Sequence, residues 1–432
     1  MNLRISLHNR IFLGMLLGIA AGIGIRLAGF SPDTIWAVIR WVKPVGDVFL
    51  RVIFMTLMPL LVSALSLGIA EIGDIRRIGR IGLRTLWYCV FVSAIAVLIG
   101  IALVTLLQPG GSLSGLEREQ LIRNYPLPAS LSAGVDSAEN AGILEAMVRM
   151  VPRNPLEDMV RAFDPSYSGG GILAVIFFSL MIGIALSMTD PDRTATLKGC
   201  LEGVYEVTMK IIGMAMKLAP FGVASMLFCL CAEMGFSIIL ILSKYVLVVL
   251  LGLALHHFVT YPVLLKLLGK MDPKFFFRNT ADVMLMAFST SSSNATLPAT
   301  LQAATQKLKL PRDISRFVLT VGSTANQNGT ALYEGVTVLF LAQCFGMELP
   351  FSRQVFVVLL AIMAGIGTAG VPGGSLPAVM MILAGIGLPA ESIGIIIGVD
   401  RLLDMSRTVL NVTGDLTAAV YVSRFEDSKM KT

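Results

Sequence analysis

Apolar runs long enough to cross a bilayer recur along this chain, at 11–27, 45–69, 86–107, 172–188, 204–231, 236–268, 317–345 and 393–422. A hydrocarbon layer of about 30 Å takes roughly 20 residues of helix at 1.5 Å each, so these runs predict eight spans. Two further apolar stretches, 283–304 and 355–388, are broken midway by Ser, Gly or Pro and predict pairs of half-length helices. With 55% hydrophobic and 14% charged residues among 432, the chain is excluded from the soluble globular class. The first run follows Arg4, His8 and Arg10, the flank of a signal peptide, but seven later spans make the protein polytopic either way.

The formal charge of +6 is no nucleic-acid footprint, because the basic residues cluster just outside spans. Arg76, Arg77, Arg80 and Arg84 form one group; Lys266, Lys270, Lys274 and Arg278 another; Lys307, Lys309, Arg312 and Arg316 a third. The positive-inside rule puts these segments in the cytoplasm, and crossing parity then puts both termini there, in agreement with Arg424, Lys429 and Lys431. The long polar segment 109–171, with five Arg against eight acidic residues, falls outside as a lid or disordered excursion and is assigned no chemistry. Cys89, Cys200, Cys229, Cys231 and Cys344 lack the spacing of metal-ligand pairs and read as structural.

The last run carries Asp400, Asp404, Arg407, Asn411 and Asp415. At about 100° per residue they lie at roughly −40°, 0°, −60°, −20° and +20° about Asp404, a stripe about 80° wide, with Arg401 just off it. A charge facing lipid costs roughly 2.5 to 3.5 kcal/mol on insertion scales, so the stripe points to an ion or substrate site. A fixed ion pair between Asp404 and Arg407 is the bland alternative, and it leaves Asp415 unexplained.

Three other constellations fall on the broken elements. The first hairpin turns at Ser289–Pro298, whose free N–H and hydroxyl groups suit a carboxylate. The seventh span is interrupted from Gly322 to Thr330, where unwinding would free carbonyl oxygens that, with Asn side chains, suit a small hard cation such as sodium. Glu334, on the same span, is either a buried protonated carboxyl or a proton carrier. The second hairpin turns at Gly365–Gly374, with five glycines in ten residues, a composition for a gate or for a rigid packing turn. An ammonium partner (Asp404), a carboxylate partner (Arg407) and a second carboxylate cradle at the hairpin tips together describe an acidic amino acid.

These residues resemble a known family. Ser291-Ser292-Ser293 through Thr296-Leu297-Pro298, Asn326-Gln327-Asn328-Gly329-Thr330 with Ala331-Leu332-Tyr333-Glu334, the stretch Gly367–Gly373, and Asp404 to Asp415 are similar to motifs of the dicarboxylate/amino acid:cation symporters, the glutamate transporters. The resemblance is strongest from about residue 236 onward. It implies an all-α polytopic membrane protein with eight transmembrane helices plus two re-entrant helical hairpins, built as inverted repeats and working as an elevator-type transporter, a symporter rather than an enzyme. The implied parts are scaffold spans 1 and 2 (1–85), span 3 of the transport domain (86–108), the extracytoplasmic loop (109–171), scaffold spans 4 and 5 (172–235), the remaining transport domain (236–424) and a cytoplasmic tail (425–432).

The resemblance also implies a homotrimer in the plasma membrane (bacterial inner membrane) in contact with lipid, with no nucleic-acid partner and no organic cofactor. Ser293, Thr330, Asp404, Arg407, Thr408 and Asn411 fall on its substrate site, with Ser291, Ser292, Gly370 and Val371 at the hairpin tips. Gly322, Asn326, Asn411 and Asp415 fall on one sodium site, and Thr324, Gly365, Ile366 and Thr368 on a second. Relatives that carry C4-dicarboxylates lack the Asp found at 404, the position that holds the amino group, which favours an amino acid over succinate or malate. Arg407 is the position whose Arg goes with acidic side chains, glutamate or aspartate rather than a neutral amino acid.

Departures from the family pattern are informative. The usual Asn-Met-Asp-Gly-Thr reads Asn-Gln-Asn-Gly-Thr here, so Asn328 replaces the acid of a third sodium site. Aligning Ser93 with that site's serine puts Cys89 and Val92 where Tyr and Thr oxygens are expected. A hard cation loses its charge and two oxygens, so the third sodium is not expected, while Glu334 occupies the proton-carrying position of proton-coupled relatives. An ion channel is disfavoured because opposite charges at one depth make a closed site rather than a pore. A serine hydrolase is disfavoured because no Gly-x-Ser-x-Gly elbow accompanies His256 and His257.

Overall fold

The computed structural model describes residues 7–77, 80–126, 148, 151–162, 171–367 and 373–430, and the regular elements among them are helices. Long apolar segments give α1 (Leu7–Leu27), α2 (Pro32–Arg77) and α3 (Arg80–Leu107). The polar loop contributes short helices α4 (Gly115–Asn124), closed by a Ser114/Glu117 capping box, and α5 (Pro155–Val160). Then come α6 (Gly171–Met188), α7 (Pro191–Met234) and α8 (Phe236–Gly269). The first hairpin is α9 (Pro273–Thr290) and α10 (Ser293–Gln302), followed by α11 (Arg312–Ala325) and α12 (Asn328–Cys344). The second hairpin is α13 (Phe351–Gly367) and α14 (Leu376–Gly385), and a 3₁₀ turn at Ala390–Ile395 leads into α15 (Ile397–Met430).

Among the described residues, five helices are long and apolar enough to cross a membrane: α1, α2, α3, α7 and α8. The other three runs differ for visible reasons. The apolar part of α6, Ala174–Met188, is shorter; the run 317–345 is cut between α11 and α12; the run 393–422 carries the charged stripe within α15.

Two packing groups organise the helices. In one, α7 lies along both α1 and α2, and α2 lies along α6. In the other, α9, α10, α11 and α12 pack on α15, with α3 along α12. Every residue of α12 except Gln343 is buried, as expected of a helix that is apolar on nearly all sides.

The α1–α7 contact depends on glycine at every fourth position. A Cβ at Gly14 or Gly18 would lie 2.3 Å from the carbonyl oxygen of Pro220 or Ala224, and one at Gly22 would lie 2.5 Å from that of Phe228. Backbone therefore meets backbone, the small-residue packing that substitutes in lipid for hydrophobic driving force. Gly18→Val should lower the thermal midpoint of the purified protein, at a cost of about 1 to 3 kcal/mol for overpacking, whereas Val at open Gly213 should not. Melting in detergent checks both.

Candidate functional site

The charges of α15 form one buried cluster. Arg407 donates to Asp404 Oδ1 from Nε at 3.1 Å and from Nη2 at 2.9 Å, and to Asp400 Oδ1 from Nη1 at 3.1 Å. Arg401 Nη1 donates to Asp404 Oδ2 at 2.9 Å. All four residues are buried, and two acids face two guanidiniums. The internal ion pair set aside as the bland alternative is therefore formed, and it is larger than a pair. Asp400 binds Arg407 directly, and Arg401, off the stripe by helical angle, reaches Asp404 because its long stem spans the turn. Arg407 Cζ also stands 4.2 Å from the centroid of the Tyr333 ring, a cation–π contact.

A second group forms where α11 ends and α12 begins. Asn326 and Gln327 leave helical geometry, with φ/ψ of −105/65° and −98/53°. Gln327 Oε1 accepts from Asn411 Nδ2 at 2.5 Å and from Thr330 Oγ1 at 3.3 Å, and Asn411 Nδ2 also donates to Thr330 Oγ1 at 3.1 Å. Asn411 Oδ1 accepts from the Gly329 amide at 2.8 Å. Asn411 thus ties the broken span to α15. Only glycine fits at 329, since a Cβ there would lie 2.6 Å from the Arg407 carbonyl oxygen. Thr408 is buried beside the cluster, its hydroxyl donating to the Asp404 carbonyl at 2.8 Å.

One helical turn further, Asn326 Nδ2 donates to Asp415 Oδ1 at 3.0 Å, and Asn326 Oδ1 is buried without a hydrogen-bond partner. Gly322 lies against this carboxylate: a Cβ there would be 2.7 Å from Asp415 Oδ1. A carboxylate, an orphaned amide oxygen and adjacent backbone form a set of hard oxygen donors that fits a small cation.

The expected third cation position looks different. Asn328 Oδ1 accepts from Ser93 Oγ at 2.6 Å, Asn328 Nδ2 donates to Tyr261 OH at 3.2 Å, and Tyr261 OH donates to the Leu410 carbonyl at 2.8 Å. Cys89 and Val92 are buried nearby in sequence and bring no oxygen. Here the protein's own hydrogen bonds occupy the amide. Tyr261 follows a π turn, His256–Thr260. Pro262 lacks an N–H and would clash with the carbonyl four residues back, and the wider turn absorbs that conflict. His256 stacks edge-on to Tyr261 with ring centroids 4.8 Å apart.

The serine turn closes the first hairpin. Ser291 takes the left-handed conformation with φ +49°, and Ser292 Oγ accepts from the Ala295 amide at 3.2 Å, capping α10. Ser291, Ser292 and Ser293 are buried, and Ser291 Oγ has no hydrogen-bond partner. In the second hairpin, Gly365 lies near Gln327, where a Cβ would be 3.6 Å from Gln327 Cβ. Thr368, Gly370 and Val371 lie outside the described residues, as do the side chains of Thr324 and Ile366. Glu334 is fully buried, and neither of its carboxyl oxygens has a hydrogen-bond partner.

Sequence reasoning missed Arg401, Tyr333 and Tyr261 as parts of the site. Tyr333 had a signal, since it follows Thr330 by three residues and so shares its helix face. Tyr261 had none, because the contact to Asn328 is made across the fold.

Broken helices meeting buried charge in an all-helical membrane protein define a secondary transporter. The chain belongs to the sodium:dicarboxylate symporter family, whose sequence profile matches residues 7–425. It is 32% identical to the proton/sodium-glutamate symport protein of Bacillus subtilis (strain 168), over 98% of this chain and 94% of the relative. Identity to the proton/glutamate-aspartate symporter of Escherichia coli (strain K12) is also 32%, with the same coverage of each. Excitatory amino acid transporter 5 of Mus musculus is 31% identical over 94% of this chain and 80% of its own length.

Tyr261→Phe removes one hydroxyl and leaves the Asn328 amide and the Leu410 carbonyl buried with a partner lost. The expected cost is about 1 to 3 kcal/mol, read as a lower thermal midpoint with no change in expression of the folded protein.

Proposed function

We propose that the protein is a secondary active symporter that takes up acidic amino acids, glutamate and aspartate, coupled to protons together with sodium. The observation that supports this best is the buried Asp404–Arg407 contact. A substrate carrying an ammonium and a side-chain carboxylate can replace both halves of that pair, Asp404 receiving the ammonium and Arg407 clamping the carboxylate. Asn411, Thr330 and the serine turn supply donors for the second carboxylate, with Ser291 Oγ free to donate. A C4-dicarboxylate has no group to offer Asp404. The names of the bacterial relatives support the same substrate class for those proteins.

Sodium is assigned to Asp415, Asn326, Asn411 and the Gly322 backbone, with a second position at Thr324, Gly365, Ile366 and Thr368. Ser93, Asn328 and Tyr261 replace a third sodium by hydrogen bonds, because an amide offers a cation no net charge. Glu334 is assigned as proton carrier. An unpaired carboxylate in that buried position costs several kcal/mol, whereas the protonated acid carries no charge.

The α1, α2, α6 and α7 group is the proposed trimerisation scaffold. The α3 and α8–α15 group is the moving transport domain of an elevator cycle, with the termini in the cytoplasm. The two packing groups support this division.

Uptake of labelled glutamate and aspartate into proteoliposomes, under separately imposed sodium and pH gradients, tests the coupling. An inward proton gradient should drive uptake, and uptake driven fully by sodium and indifferent to pH would overturn the proton assignment. Glu334→Gln should abolish the response to the pH gradient while leaving substrate binding within about threefold, well under the 1.4 kcal/mol that a tenfold change represents. Arg407→Cys should lose acidic substrates by about 100-fold or more, because one partner of a buried ion pair is removed, while admitting small neutral amino acids.

A further inference from the structure

Asp404 is held from both sides. Arg407 occupies its Oδ1, and Oδ2 accepts from Arg401 Nη1 at 2.9 Å and from the backbone amide of Gly373 at 3.3 Å. Gly373 belongs to the turn of the second hairpin, just before α14. One carboxylate oxygen therefore joins a guanidinium from its own helix to the backbone of the second hairpin. The Arg401 and Asp404 side chains are 9% and 6% exposed, so this contact is shielded from water, which would otherwise weaken it.

We propose that Arg401 is the resident counter-cation of Asp404 in the empty carrier, standing where the substrate's ammonium group stands in the loaded one. This rests on the reading that Asp404 receives an amino group. Binding is then an exchange of partners: the ammonium displaces the Arg401 guanidinium from Oδ2, and Arg401 turns towards Asp400, which lies one residue before it and already faces Arg407. With substrate absent, two acids and two guanidiniums leave the cluster neutral, and Asp404 still accepts from Gly373. Without Arg401 the empty cluster carries one uncompensated negative charge. Moving such a charge through a low-dielectric interior is costly, whereas in the loaded carrier the substrate's ammonium stands at Asp404 and the two carboxylates it also brings are accompanied by the coupling cations. Arg401 therefore serves the return of the empty carrier, not the passage of the loaded one.

The test compares two modes of transport by the same proteoliposomes. Exchange of internal for external aspartate uses only the loaded carrier, whereas net uptake also requires the empty carrier to return. Arg401→Gln should lower net uptake by about 100-fold more than it lowers exchange, the effect of leaving one buried acid without its counter-charge. Arg401→Lys, which keeps the cation, should restore net uptake. A merely structural role would lower exchange and net uptake together in the Gln variant, and that parallel loss would overturn the proposal. So would net uptake by Arg401→Gln equal to that of the unaltered protein. Failure of the unaltered protein to exchange aspartate or glutamate would instead overturn the substrate reading, and this inference with it.

Discussion

A buried charge in a membrane interior must have a counter-charge, and Asp400, Arg401, Asp404 and Arg407 meet that demand among themselves on a single helix. The neighbouring elements complete this arrangement. Tyr333 covers the face of the Arg407 guanidinium, and the start of α12 comes close enough for Gly329 to touch the Arg407 carbonyl. The break between α11 and α12 brings Gln327 and Thr330 to Asn411. A straight α12 could not do this, because a continuous helix spends its amides and carbonyls on itself.

The same economy explains why two amide positions two residues apart behave differently. Asn326 donates one hydrogen bond from its amide nitrogen to Asp415 and keeps a buried oxygen without a partner. Asn328 uses both ends, accepting from Ser93 and donating to Tyr261. The first leaves a place that a cation can complete, and the second leaves no oxygen to spare. Glu334 is a third case, a carboxyl with neither oxygen matched, which suits a group whose partner is a proton. The three side chains thus differ in which buried oxygens the protein has left unsatisfied.

Much of the architecture was legible in the sequence because lipid imposes one rule on every segment. Runs of apolar residues at α1, α2, α3, α7 and α8 have the length a bilayer requires. The Ser and Gly breaks showed where helices stop, and α9–α10 and α11–α12 stop there. The stripe from Asp400 to Asp415 followed from helical angle alone. Arg401 escaped that logic because a side chain with several rotatable bonds can leave the face its Cα belongs to, and Tyr261 escaped it because its contact to Asn328 joins elements remote in sequence.

Periodicity and hydropathy act within one segment, and they are enough to make this a helical membrane protein with a polar site on its last helix. How the site's charges are matched is settled by packing. Whether Asp404 faces one arginine or two, whether Asn328 is free or tied to Ser93 and Tyr261, and whether Glu334 has a partner all depend on distances between helices remote in sequence. Electrostatic and hydrogen-bond energies in a low-dielectric interior change steeply over a few ångströms, a scale set by packing rather than by spacing along the chain.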